Sequence, residues 1–481
     1  MHSQAFVLGV LAAWAILPVS ARGEEPVDVG SRLELLVDRF LIDQTKGDVA
    51  LCLHKPAPQE VVLVTDRPWE GNTSAYYTIF QDGDRYRMYY RGSHFDEKTR
   101  RSPHREVACY AQSKDGVHWT KPELGLVEFD GSKRNNIVWD GVGSHDFTPF
   151  RDAHPACSPD AQYKALGCSD GKHKPGLYAF QSPDGIRWKL MQEEPVITQG
   201  AFDSQNLAFW DGVRGVYADY HRGFRSGVRD IMTATSKDFL HWTDPVFLEY
   251  PDAPREHLYT NAIRPYQRAP HILLGFPTRF LPDRGQQVEP TFMTSRDGRT
   301  FHRWTEALIP VTAPEDRAGN RSNYMAWGLV KLPGADKEYS VYATEAYYTG
   351  PGGRLRRFTY RIDGFVSARA SAQGGQLRTR PLRFAGERLV INYAASPQGQ
   401  VRVAIEDAAG EPLEGFRLAD CPAIRGDAVE HTVAWKGGTG VGRLAGKPVR
   451  LRFELREADL FSFRFAGAAL AGPLPLPAAP L

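Results

Sequence analysis

From Val61 onward the apolar positions come in short runs rich in Val, Ile, Tyr and Phe, separated by Asp-Gly, Pro-Gly and Gly-Gly pairs. Short runs enriched in β-branched and aromatic side chains and bounded by turn residues predict strands rather than helices. The first set comprises Ala75 to Phe80, Tyr86 to Tyr90, Val107 to Gln112 and a strand opened by Trp119. A second follows the same cycle through Phe147 to Cys157, Tyr163 to Cys168, Leu177 to Gln181 and Trp188. The third runs through Gln205 to Trp210, Val216 to His221, Ile231 to Thr235 and Trp242, and the fourth through Tyr259 to Pro265, Ile272 to Phe276, Thr291 to Thr294 and Trp304. The last holds Tyr324 to Val330, Tyr339 to Thr344 and Leu355 to Tyr360.

A heptapeptide marks the cycle. Ser113-Lys114-Asp115-Gly116-Val117-His118-Trp119 returns at Ser182 to Trp188, loses its Gly at Ser236 to Trp242, and is looser at Ser295-Arg296-Asp297-Gly298, with Trp304 arriving three residues late. Asp-Gly suits a tight turn because Gly takes positive φ without steric cost and Asp bonds the turn's own backbone. Asp115, Asp184, Asp238 and Asp297 are therefore assigned to turns, and Trp119, Trp188, Trp242 and Trp304 to inter-blade core. Repetition of a four-strand unit is the mark of a propeller. The prediction is an all-β chain: a five-bladed β-propeller over 61–368 followed by a C-terminal β-sandwich over 369–468, where the alternation is plainer. Segment 22–60 stands apart, with Leu33 to Ile42 readable as a short helix or an edge strand; the Pro/Ala-rich tail 469–481 is expected to be disordered.

Composition narrows the class of partner. A chain of 481 residues exceeds what one core usually serves. With 59 Lys and Arg against 57 Asp and Glu it carries no electrostatic footprint for nucleic acid or an anionic membrane. The apolar run Phe6 to Val19, followed by Val19-Ser20-Ala21, predicts a signal peptide over 1–21, hence a secreted or periplasmic protein with no membrane attachment after cleavage. Cys52, Cys109, Cys157, Cys168 and Cys421 are too scattered for a disulfide scaffold; Cys157 and Cys168 read as a short-loop disulfide or as free thiols. No Cys/His spacing suggests zinc. No metal site or cofactor is expected, a structural Ca2+ in the propeller channel being the one option left open.

In a propeller the innermost strands converge on a central channel, so candidate chemistry is sought just before and along them. Those positions carry Glu70 and Asn72 in the first blade; Arg151, Asp152 and His154 in the second; Asp203, Gln205 and Asn206 in the third; Glu256, Tyr259 and Asn261 in the fourth; and Asn323 in the fifth, with Glu345 near a strand end. Converging carboxylates match glycosidic bond cleavage, in which one acid protonates the leaving oxygen and a second carboxylate attacks or activates water. Glu70, Asp152, Asp203 and Glu256 are the catalytic candidates. The amides, Arg151, His154, Tyr259 and Glu345 are candidates for holding a carbohydrate. His94 and His145 are read as hydrogen-bonded loop residues.

At these positions the chain resembles the five-bladed propeller glycoside hydrolases of families 32, 43 and 68, and looks closest to secreted family 32-like bacterial proteins. The resemblance implies a first-blade Asp nucleophile or base, a second-blade Asp that stabilises the transition state and a third-blade Glu acid. Arg151-Asp152-Ala153-His154-Pro155 is similar to the Arg-Asp-Pro motif of family 32, while Glu70 and Asp203 stand in place of the first-blade Asp and third-blade Glu. A secreted glycoside hydrolase acting on an oligo- or polysaccharide is the functional expectation. Two alternatives remain: a non-catalytic carbohydrate-binding propeller, and a phosphorylase or transferase on the same fold.

Overall fold

The computed structural model describes residues 25–309 and 323–467. The expected signal peptide and tail both lie outside the described residues.

Five sheets follow one another in chain order around an axis. Blade one is Ala75–Asp82, Arg85–Gly92, Val107–Ser113 and Trp119–Thr120, with Ile137–Trp139 added against its third strand. Blade two is Thr148–Arg151, Tyr163–Cys168, Leu177–Ser182 and Lys189–Leu190. Blade three is Leu207–Asp211, Val216–Arg225, Val228–Ser236 and Val246–Phe247. Blade four is Arg264–Tyr266, Ala269–Gly275, Phe292–Ser295 and Phe301–Trp304, interrupted by the hairpin Thr278–Leu281 with Gln287–Pro290. Blade five has an irregular inner run bridged at Met325 to Ala343 and Val330 to Ser340, then Glu338–Glu345 and Arg354–Arg361.

The fourth strand of blade five is Ala57–Val64, which precedes blade one in the chain. The ring is thus closed by pairing the start of the propeller with its end. Part of the 22–60 segment therefore belongs to the propeller. A second seam lies on the axis, where blades one and five pair in parallel: the Trp327 N–H donates to Tyr77 O at 2.8 Å and the Ile79 N–H to Trp327 O at 2.9 Å. Gly328 permits this approach, since a Cβ there would stand 2.7 Å from Ile79 O.

The recurring heptapeptide is a turn and also a latch between blades. Ser113 Oγ accepts the Asp115 and Gly116 N–H groups, Asp115 Oδ1 accepts those of Val117 and His118, and the Trp119 indole donates to Gly116 O at 3.0 Å. The Tyr342 hydroxyl of blade five donates to Gly116 O, Tyr89 of blade one to Gly185 O, and Tyr220 of blade three to Gly298 O. Each preceding blade holds the next one's turn. The copy lacking Gly puts Phe239 at φ 70, with its ring fully buried against Phe150 of blade two. Here aromatic packing replaces the hydroxyl latch and offsets the left-handed backbone strain.

A second body has its own apolar core, built from Val29, Leu377, Ile391, Val403, Phe453 and Phe463 among others. Its main strands are Val366–Thr379, Arg388–Asp407 and Val449–Ala466, joined by Val27–Gly30, Glu34–Leu35 and Ile42–Leu53 from before the propeller. The stretch left open between helix and strand is a two-residue strand followed by turns. Buried Asp363 ties the two bodies: it accepts from Tyr266 at 2.5 Å and Arg268 at 3.1 Å on the propeller side, and from Ser462 at 2.7 Å and Asn392 at 3.1 Å on the other.

Candidate active site

Because each blade begins at its innermost strand, the segments leading into those strands share one mouth of the ring. His145 and Asp146 lead into Thr148–Arg151, Asp203 to Asn206 into Leu207–Asp211, and Tyr259 to Asn261 into Arg264–Tyr266. Blade one adds Arg91 and Glu106, at the two ends of the loop between its second and third strands.

His145 sits between two carboxylates. Its Nε2 is 3.0 Å from Asp203 Oδ1 and its Nδ1 is 2.8 Å from Glu106 Oε2. With an acceptor on each nitrogen the ring donates from both, which is the protonated form. Burial and the Arg91 charge oppose that proton, but the bonds to Asp203 and Glu106 outweigh them and raise the pKa to about 9. Burial likewise works against the Glu106 carboxylate, yet the His145 bond and the Arg91 charge bring it down to about 2. Asp203 is lowered in the same way, against burial, by His145 and then Arg222. Its side chain is 67% exposed, so this carboxylate is the member of the group presented to solvent.

Cations and phenols surround the triad. Arg91 Nη1 lies 3.2 Å from both ring nitrogens of His145, hence over the ring, while Nη2 donates to Thr73 O at 2.8 Å and to the Tyr347 hydroxyl at 3.1 Å. Arg222 Nη2 is 3.8 Å from Asp203 Oδ2, and its guanidinium lies 4.7 Å from the Tyr259 ring centre. Arg222 Nη1 is buried without a hydrogen-bond partner. Tyr259, Tyr324 and Tyr347 continue edge to face around the mouth. Tyr76 packs on His145 and Arg91 with φ 58 in a 5% exposed residue, a strained backbone of the kind that concentrates at functional sites. A cavity of about 530 Å3 adjoins the group, lined by Glu106, His145, Ser144, Cys168, Phe202 and Asp203 among others.

Beneath this layer the amides are structural. Asn72 bonds Phe95 and Gly350, Asn261 donates to Tyr220 O at 3.1 Å, and Asn323 donates to Thr344 O at 2.9 Å. Asn206 bonds fully buried Asp146, whose pKa burial raises to about 7 against the lowering effect of His145 and of its own hydrogen bonds. Gln205 donates to Tyr77 O and Thr78 Oγ1 of blade one. Blades one and three are not neighbours in the ring, so this side chain crosses the axis and fills the channel.

Of the residues singled out from sequence, Asp203 and Tyr259 reach the mouth. Asp152 does not: it follows the innermost strand of blade two instead of preceding it, at the opposite end of the ring, and its buried carboxylate is held by Lys164 and by the Tyr217 hydroxyl at 2.7 Å. Arg151 and His154 go with it, Arg151 beside Asp82 at 3.3 Å and His154 on Trp210 and Tyr217. Glu70 is fully buried between the Tyr90 hydroxyl at 2.5 Å and Lys121 at 2.6 Å. Glu256 lies in a separate cleft with Arg279 at 2.9 Å and Arg303 at 2.6 Å. Glu345 is enclosed by Arg354 and Arg356 at 2.8 and 2.7 Å. The four catalytic candidates are therefore not assembled into one site.

Sequence reasoning missed Arg91, Glu106 and Arg222, and gave His145 only a loop role. The usable signal was Gly141 to Asp146, a glycine-rich turn running into an apolar stretch, which marks where blade two begins. All five cysteines are free thiols, Cys157 and Cys168 included. Among the described residues no group of three or more His, Cys, Asp or Glu is placed to hold a metal ion, and no helix is long and apolar enough to cross a membrane.

No family model matches the chain. Two uncharacterized proteins, from two strains of Mycobacterium tuberculosis, are 32% identical over 144 residues, which is 28% of this chain and 40% of their own length. Among solved structures, a glycoside hydrolase family 43 arabinoxylan arabinofuranohydrolase from Bacillus subtilis in complex with cellotetraose is 12% identical over 86% of this chain and 99% of its own, with a TM-score of 0.40. A beta-1,2-mannobiose phosphorylase from Listeria innocua is 12% identical over 64% and 96%, with a TM-score of 0.43. An N-acetylgalactosamine deacetylase from F. plautii, in complex with blood group B trisaccharide, is 12% identical over 66% and 96%, with a TM-score of 0.45. The likeness is one of fold.

Proposed function

We propose that the chain is a secreted carbohydrate-active enzyme that cleaves a glycosidic bond at the mouth formed by blades one, two and three. The observation that carries this reading is His145 bonded on one side to Asp203 and on the other to Glu106. A proton donor, His145, and an exposed carboxylate, Asp203, adjoin one cavity, which supports the reading; they bond each other at 3.0 Å here, so a sugar enters between them to reach the separation of about 5 Å or more that flanking a glycosidic bond takes. Asp203 is the carboxylate that meets the sugar, as nucleophile or as the base for water. His145 supplies the proton to the leaving oxygen, while Glu106 and Arg91 hold its ring in place. Phe224, which is 50% exposed, offers a ring against which a sugar can pack, with Arg222 and Arg229 already lying over it and over Tyr259.

One feature favours a second reading, a phosphorylase. Three cations, Arg91, Arg222 and protonated His145, face two carboxylates, and Arg222 keeps an unpartnered N–H. That surplus of positive charge suits a phosphate acceptor in place of water.

Both are tested by incubating the purified protein with a panel of plant, algal and fungal polysaccharides and oligosaccharides, with and without phosphate, and identifying products by chromatography. Free sugars released at a phosphate-independent rate support hydrolysis, and sugar 1-phosphates support phosphorolysis. Glycan binding with no product from any substrate would overturn both and leave a binding module.

A further inference from the structure

The far end of the channel is a different place chemically. Gln205 closes the axis below the mouth, and beyond it a second cavity, of about 320 Å3, opens where the inner strands of the five blades end. Its walls include Phe150, Trp210 and Trp327, and into them projects Arg264 from the inner strand of blade four.

Arg264 makes no ion pair or hydrogen bond with any described residue, and its Nε is buried with no acceptor. This sets it apart from Arg151 on the same walls, which meets Asp82 at 3.3 Å. Burial lowers the Arg264 pKa to about 10, so it remains charged near neutral pH. Arg264 is half-buried with its Nε enclosed, an unpaired cation that attracts an opposite charge, and it stands among apolar walls that also carry Thr78, Gln81, Arg151 and Gln267.

We propose that this cavity binds a small organic carboxylate, its carboxylate on the Arg264 guanidinium and its flat apolar body against Trp210 and Trp327. The charge selects the anion. The rings of Phe150, Trp210 and Trp327 favour a flat apolar body. The site is separate from the sugar-cleaving mouth and does not depend on it.

Benzoate, its neutral isostere benzamide and inorganic phosphate are the probes, titrated into the full-length protein while tryptophan fluorescence and Tm are followed. Benzoate is expected to quench the fluorescence saturably and raise Tm, with benzamide and phosphate at least tenfold weaker. Arg264→Gln is expected to weaken benzoate at least tenfold and, without ligand, to melt at or above the parental temperature, because it removes an unpaired charge. Equal responses to benzoate and benzamide, phosphate binding as tight as benzoate, or unchanged benzoate binding in R264Q would each overturn the proposal. So would an R264Q protein that melts well below the parent, since the guanidinium would then be supporting the fold.

Discussion

Nε2 of His145 lies 3.0 Å from Oδ1 of Asp203, joining blade two to blade three at the mouth of the ring. The same imidazole reaches Glu106 of blade one at 2.8 Å, so three blades converge on one protonated ring. Neither carboxylate could hold this proton in water near pH 7. The geometry holds it by placing acceptors on both sides.

That arrangement fixes a pH dependence. The folded-state pKa of His145, about 9, lies above its ordinary 6.5, so the stability from its two ion pairs is complete below about 6.5 and is lost as the pH rises through about 9. Catalysis that uses the His145 proton is expected to fall over the same alkaline limb. Glu106 acts in the opposite sense: held at about 2 against 4.5, it contributes above 4.5 and fails only as the pH falls toward 2. Thermal melts and rates from pH 4 to 10, compared with His145→Gln, check this. The variant is expected to lose the alkaline limb.

Asp146 carries a penalty of its own. Its pKa is raised from 3.8 to about 7, so the native state binds a proton more tightly than the unfolded chain, and stability declines as the pH rises across that interval. Asp146→Asn is expected to flatten the decline and to be more stable than the parent at pH 8. In the variant Asn206 Nδ2 keeps its bonds to Phe202 O and Ser204 O and loses the one to residue 146. Denaturant melts at pH 5 and pH 8 make the comparison.

Glu70 is a structural residue in this account. Its carboxylate is fully buried against Lys121, which also reaches Asp66 at 3.2 Å, so losing the Glu70 charge leaves the lysine one exposed partner, at a cost below the roughly 3–5 kcal/mol of a fully uncompensated buried charge. Glu70→Gln is therefore expected to lower Tm substantially while the folded fraction keeps its activity. A stable, inactive E70Q protein would return Glu70 to the catalytic set.

The inter-blade latches make a graded series. Tyr89→Phe removes one hydroxyl donor to Gly185 O, expected at about 1 kcal/mol. Phe239→Ala removes a fully buried ring and is expected to cost about 3–5 kcal/mol. Phe239→Gly leaves the same void but relieves the positive φ, so it is expected to be less destabilised than F239A, by about 1 kcal/mol. Chemical denaturation of the three variants orders them.

The blades were legible because the propeller repeats its own turn: Ser113 to Trp119 and its copies count blades one to four, and their hydrogen bonds are the ones the residue types demand. The closing strand Ala57–Val64 was not, because pairing across the whole ring leaves no local pattern. The mouth was half legible. Asp203 precedes its strand by four residues, in Phe202-Asp203-Ser204-Gln205-Asn206, and was found, whereas in blade two the Arg151-Asp152 pair drew attention to the wrong end of a four-residue strand. Arg91 and Glu106 were invisible for another reason. Arg91 stands near the end of the second strand of blade one and Glu106 just precedes the third, and only the fold shows that the loop between them overhangs the channel.

The most direct test of the central claim sets Asp203→Asn beside Asp152→Asn on a glycan that the parent protein cleaves, with product release measured for each and melts confirming that both are folded. Asp203→Asn is expected to reduce turnover by about a thousandfold, in the range lost with a positioned acid or base. Asp152→Asn is expected to lower Tm and leave turnover of the folded protein near that of the parent. A folded D203N protein that works at the parental rate, or a stable D152N protein that does not work at all, would contradict the placement of the active site at the His145–Asp203 mouth.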